Sequence, residues 1–114
     1  ARIINFTAAA AISAGECCKI DTNGKAALAT DGTLPVAGFA LADAASGDLV
    51  SLVTGSGVVI YAITTAVTVG DTLMADTSGT AGSLDTTTAD TDEFVAIALE
   101  TNATVDSLTK VLVK

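Results

Sequence analysis

The chain has 114 residues, 13 of them acidic against five basic, giving a net charge of −8 with no histidine. A phosphate backbone or an anionic membrane surface is held by clustered lysine and arginine, so neither nucleic acid nor membrane is expected as a partner. Half of the residues are apolar, enough to fold, yet alanine leads them and tryptophan is absent, so the core gains less per residue than one of leucine and phenylalanine and favours attachment to a larger body.

At this length one domain spanning residues 1–114 is expected. The run from Arg2 to Ser13 resembles a signal peptide slightly, but Asn5 and Thr7 interrupt it, and it reads as a first strand, Ile3 to Phe6. Without secretion, the sequons at Asn5 and Asn102 are chance. A strand from Cys17 to Asp21 puts its adjacent cysteines on opposite faces, where a disulfide between neighbours is strained. One buried thiol and one near the surface are expected, in a reducing interior. Asp21-Thr22-Asn23-Gly24-Lys25 suits a hairpin turn into a strand from Lys25 to Ala29, because Asn before Gly allows positive φ and the aspartate accepts from the turn.

A strand from Val36 to Leu41 follows. Ala42-Asp43-Ala44-Ala45-Ser46-Gly47 then combines helix-forming alanines with a glycine stop, predicting a helical crossover of one or two turns. Strands from Leu49 to Thr54 and Val58 to Ile63 flank Gly55-Ser56-Gly57, and Thr72 to Ala75 leads into a second hairpin turn, Asp76-Thr77-Ser78-Gly79-Thr80. The stretch from Asp85 to Glu93 carries Asp85, Asp90, Asp92 and Glu93, a conceivable calcium site. Its spacing matches no EF-hand loop and no glycine turns it, so it reads as a solvated loop, and no metal ligand is assigned there or at Asp21 and Asp76. A strand from Phe94 to Leu99, a second crossover from Glu100 to Asp106 and a strand from Leu108 to Val113 complete the chain. The even spacing predicts an all-β fold, a small barrel or sandwich with short helical crossovers.

The chain also repeats itself. Gly15 through Ala26 placed on Gly70 through Ala81 gives five identities in twelve positions, and Phe39-Ala40-Leu41 falls on Ile97-Ala98-Leu99 at an offset three residues longer. Asp48 then falls on Asp106 and Val53 on Val111. Two pseudo-repeated halves, roughly 12–53 and 67–111, are expected, with the three extra residues most simply placed between Asp85 and Glu93 and with no counterpart for Arg2 to Thr7. What repeats is turn chemistry and apolar spacing, which specifies a scaffold.

Chemistry is sparse. With no histidine the usual general base is missing, no P-loop, dinucleotide fingerprint or nucleophile elbow occurs, and a carboxylate pair for glycoside hydrolysis lacks aromatic companions. No catalytic residue, cofactor-binding residue or cofactor is assigned, and an enzyme is not expected.

Several stretches together resemble the small capsid decoration, or cement, proteins of tailed bacteriophages. They are Ile12 to Asp21, Pro35-Val36-Ala37-Gly38-Phe39-Ala40-Leu41 running on to Asp48, Val69-Gly70-Asp71-Thr72-Leu73, Ala96-Ile97-Ala98-Leu99-Glu100-Thr101 and Lys110-Val111-Leu112-Val113. Asn102-Ala103-Thr104-Val105-Asp106 departs from the pattern, since such proteins often carry glycine-rich turns there. The resemblance implies a virion protein on the outer capsid surface, commonly a homotrimer, that clamps neighbouring major capsid protein subunits. For the capsid contact the candidates are Arg2, Ile3, Ile4, Asn5, Phe6 and Thr7, which could add a strand to a capsid edge or could close the protein's own barrel. Two other readings are a carbohydrate- or cell-binding β module of a fibre or adhesin, and a lipoyl-type carrier using Lys25; aromatic platforms for the first and an apolar setting for the second are missing.

Overall fold

The computed structural model describes residues 2–30, 36–75, 81–86 and 95–114. Its strands are β1 (Arg2–Thr7), β2 (Cys17–Ile20), β3 (Ala26–Leu28), β4 (Gly38–Ala40), β5 (Leu49–Thr54), β6 (Val59–Thr64), β7 (Thr72–Ala75), β8 (Leu84–Thr86), β9 (Ala96–Ala98) and β10 (Ser107–Val113). The first five form one sheet in the order β1-β5-β4-β2-β3, and the last five close a barrel in the order β10-β6-β8-β7-β9. The second predicted hairpin turn, Asp76 to Thr80, lies outside the described residues, as do Pro35 and Phe94.

The ladders of the two halves match pair for pair. Cys18 opposite Leu28 and Ile20 opposite Ala26 answer to Leu73 opposite Thr86 and Ala75 opposite Leu84. Cys17 opposite Phe39 answers to Thr72 opposite Ile97, and Ala40 opposite Leu52 to Ala98 opposite Val111. The isolated bridge between Ile12 and Ala44 returns between Val67 and Asn102, and the parallel bridge between Ala8 and Ala26 returns between Thr64 and Leu84, where it closes the barrel.

These registers correct four readings of the sequence. The three extra residues lie between β7 and β8, not between Asp85 and Glu93, because Leu84 is the equivalent of Ala26. Asp85 and Thr86 are therefore in a strand, β8, rather than a loop. Arg2 to Thr7 does have a counterpart, β6: Thr7 faces Leu49 as Ile63 faces Leu108. The second crossover is one residue longer than the first, which matches Val53 with Leu112 instead of Val111.

Neither crossover is helical. Residues 42–47 make bends and a turn around Ala44, whose N–H donates to Ile12 O at 2.8 Å while Ile12 N–H donates to Ala44 O at 2.9 Å. Helix nucleation is unfavourable in so short a segment, and two cross-chain bonds outweigh the propensity of a few alanines.

Alternation along the strands makes two cores. Ala8, Ile12, Cys18, Ala26, Ala40, Val50 and Leu52 fill the first half. A larger cluster joins the interior of the second half, including Ala62, Leu73, Leu84 and Val111, to the outer face of the first through Cys17, Ala29, Phe39 and Val53. Both cysteines are thus buried, contrary to the expectation of one near the surface, because β2 has the core of its own half on one face and the second half on the other. Burial, with the Glu16 carboxylate adding to it, pushes the Cys18 thiol up to about 12. It is no nucleophile near neutral pH.

Candidate functional site

Strand β1 lies at the margin of the first sheet and pairs with β5 along its whole length, from Arg2 opposite Thr54 to Thr7 opposite Leu49. In an antiparallel ladder successive residues turn their backbone groups alternately toward the partner and away. Ala8 N–H donates to Asp48 O at 2.8 Å, which turns the even-numbered residues of β1 toward β5. The N–H and C=O of Ile3 and Asn5, and the N–H of Thr7, point out of the sheet. Among the described residues no strand runs along that edge; only the single bridge at Ala8 touches it, just past the strand's end.

The side chains of this strand divide its work. Phe6 is half-buried against the first core, so the strand is anchored in its own half. Arg2 and Asn5 are exposed, Thr7 is half-buried, and Ile3 and Ile4 are 65 % and 38 % exposed. Asn5 Oδ1 accepts from Ser51 Oγ at 2.7 Å, which steadies the middle of the ribbon. On the face that carries Ile3, Leu49 is 70 % exposed and Leu41 lies beside Ser51, its N–H donating to Ser51 O at 3.0 Å. An apolar patch therefore adjoins an open backbone edge. Proteins usually blunt such edges with lysine, proline or a bulge, and β1 carries one charge, Arg2, at its tip.

All six residues singled out in the sequence lie on this strand. Leu41 and Leu49 complete the patch and escaped sequence reading, since strand alternation alone does not tell an inward leucine from an outward one.

The equivalent edge in the second half is covered. Ile63 N–H, on the outward side of β6, donates to Gly15 O at 2.8 Å. The covering is close: a Cβ on Gly15 would stand 2.6 Å from Leu108 Cδ2 and 3.1 Å from Tyr61 O. The turn that does this is braced, because Ser13 N–H donates to Glu16 Oε1 at 2.6 Å and Ala14 N–H to Asp43 Oδ1 at 2.8 Å.

The acidic residues have local duties. Asp21 Oδ1 accepts from the N–H groups of Asn23 and Lys25, both at 2.9 Å, the arrangement expected of a hairpin turn. Asp85 Oδ1 accepts from Thr65 Oγ1 at 2.9 Å and from Thr86 N–H at 2.7 Å, while residues 87–93 of the predicted acidic loop lie outside the described residues. Among the described residues no three cysteine, aspartate or glutamate side chains gather as metal ligands would. A cleft walled by Val36, Phe39, Val53, Val95 and Val113 has Lys114 as the one ionisable residue among its described lining. Its described lining residues are mostly apolar.

The family model of the phage cement protein matches residues 1–114, the whole sequence, and the chain belongs to that family. It is a phage structural protein and a component of the virion. Among solved structures the fold is similar to the head fiber gp8.5 N base of bacteriophage phi29, with 18 % identity, a TM-score of 0.75, and coverage of 99 % of this chain and 93 % of that one. No curated protein sequence matches the chain.

Proposed function

From membership of the cement family and the open edge of β1, we propose that the chain fastens an assembled phage head from outside. It binds neighbouring major capsid protein subunits, acts as a homotrimer, and does no catalysis. The observation that carries this reading is the edge at Ile3 and Asn5, unpaired among the described residues, beside exposed Ile3 and Ile4. An extended capsid segment laid along it would gain main-chain hydrogen bonds, while the isoleucines would supply apolar area. The strand's full pairing with β5 favours a rigid docking edge over a loose arm, which lowers the entropy lost on binding.

Clamping then follows from mass action. A protein that binds only the assembled lattice stabilises it against the dispersed state, and three linked contacts in a trimer multiply weak affinities. The poor aromatic content suits this better than glycan recognition; among the described residues Tyr61 is the exposed aromatic.

Co-sedimentation with expanded, undecorated heads tests the reading. Ile3→Lys and Ile4→Lys should each weaken binding about tenfold or more, through a charge placed in a buried contact, with the melting temperature held. Binding by both variants at full strength, or no binding by the unaltered chain, would overturn it.

A further inference from the structure

We infer that copies of this chain join head to tail, the Gly70 turn of one capping the Thr7 end of β1 in the next, as Gly15 caps Ile63 within a single chain. The inference rests on the proposed self-association and gives it a surface.

The two turns are built alike. Gly15 and Gly70 have φ of 88° and 89°. Gly15 N–H donates to Ala40 O and Gly70 N–H to Ala98 O, both at 2.8 Å. Where Glu16 Oε1 accepts from Ser13 N–H at 2.6 Å, Asp71 Oδ2 accepts from Thr68 N–H at 2.8 Å. Where Asp43 Oδ1 accepts from Ala14 N–H at 2.8 Å, Thr101 Oγ1 accepts from Val69 N–H at 3.1 Å. Different side chains thus hold the same turn, with the glycine carbonyl presented the same way.

Their surroundings differ. Gly15 is buried and its carbonyl takes the Ile63 N–H. Gly70 is exposed, a Cβ on it would meet nothing within 4 Å, and among the described residues no group donates to its carbonyl. On the receiving side, Thr7 is the equivalent of Ile63 and Leu49 of Leu108. The Thr7 N–H points outward without a partner among the described residues, and Leu49 is 70 % exposed where Leu108 lies over Gly15.

Two halves joined this way consume one turn and one edge and leave one of each. These do not meet within the chain, so the fitting occupant is a second copy. Because the contact joins unlike surfaces, repeating it closes a ring or runs on as a filament; a three-chain ring holds six halves. The Thr7 amide then belongs to the neighbouring copy, and Arg2, Ile3, Ile4 and Asn5 remain for the capsid.

Sedimentation velocity of the full chain, of Leu49→Glu and of Thr7→Pro tests the contact, with Val105→Glu as an exposed apolar control on the second crossover. The unaltered chain and the control should run at a multiple of the single-chain mass, and Leu49→Glu and Thr7→Pro at the single-chain mass with strand content retained by circular dichroism. In the assembled protein the Thr7 amide should exchange at least about tenfold more slowly than in the dispersed chain. If the assembly survives both substitutions, or the Thr7 amide exchanges freely within it, this contact is wrong while self-association stands. A single-chain mass for the unaltered protein at every concentration removes self-association and the contact together. Should a substitution prevent folding, the amide measurement on the unaltered protein decides.

Discussion

Gly47 and Asp106 occupy the same turn in the two halves, and both are left-handed, with φ of 87° and 56°. Each stands just before the strand that returns alongside the crossover, β5 or β10. A side chain is costly in that conformation and least so for asparagine and aspartate, which explains how the second half makes its turn without glycine. Asp106→Ala and Asp106→Gly remove the same carboxylate, so their difference isolates the backbone. The glycine variant should be more stable by about 1 kcal/mol in urea unfolding; equal midpoints would refute the account.

Gly15→Ala and Gly70→Ala share a left-handed backbone and differ in space. At Gly70 the new methyl meets nothing within 4 Å, so in the dispersed chain the cost is the conformational one, about 1 kcal/mol. At Gly15 the methyl stands 2.6 Å from Leu108 Cδ2, which must swing aside, and 3.1 Å from Tyr61 O, which must give by a few tenths of an ångström, so overpacking adds about 1 kcal/mol or more. Denaturant unfolding of the two variants side by side measures the difference, and similar losses would show that the halves are not pressed together there.

Thr64 and Thr109 are fully buried, with their hydroxyl oxygens 2.7 Å apart. Thr64 Oγ1 also donates to Thr65 O at 2.8 Å, and Asn102 Nδ2 donates to Thr109 Oγ1 at 2.9 Å. The Thr64 proton is committed to the carbonyl, so the Thr109 hydroxyl donates to Thr64 and accepts from Asn102. Thr109→Val removes the donor to Thr64 Oγ1, while Asn102 Nδ2 keeps Ser107 Oγ at 2.8 Å and Leu108 O at 3.2 Å, and the substitution should cost about 1 kcal/mol. Adding Thr64→Val should cost less than its effect alone, and a double-mutant cycle without coupling would dismiss the network.

Cys18 shapes the alkaline limb of stability. Its thiol rises from 9.0 to about 12 in the fold, because burial and the Glu16 charge disfavour the thiolate. Below pH 9 neither state ionises and the contribution is fully present; above it the unfolded chain loses the proton first, and stability falls as pH climbs toward about 12. Cys18→Ala should flatten that fall when melting is followed from pH 8 upward, and an unchanged slope would count against the buried thiol. In the native protein both cysteines should resist alkylation and react once unfolded, since neither has exposed surface.

Much of the fold could be read from local signals. The β2–β3 hairpin follows from Asp21 and Asn23-Gly24, whose chemistry is local, and β5, β6 and β7 follow from runs of Val, Ile, Leu and Thr between glycines. Strand β8 was hidden because Leu84-Asp85-Thr86 offers one apolar side chain in three residues, and only its pairing with β7 marks it. The match of β1 to β6 was hidden for a related reason: one is an edge along which no other strand runs among the described residues and the other is covered by the Gly15 turn, so similar backbones carry dissimilar side chains.

The sequence by itself determined an all-β chain built twice, its turns, and an acidic, alanine-rich composition. Those properties depend on neighbours a few residues apart and on composition, which are visible along the chain. The tertiary structure decided which strand edge is left open, why both cysteines are sealed, and why Gly15 is crowded while Gly70 is free. Each of these depends on what the other half covers, through contacts such as that from Ile63 to Gly15, 48 positions away, and local residue patterns carry no record of that.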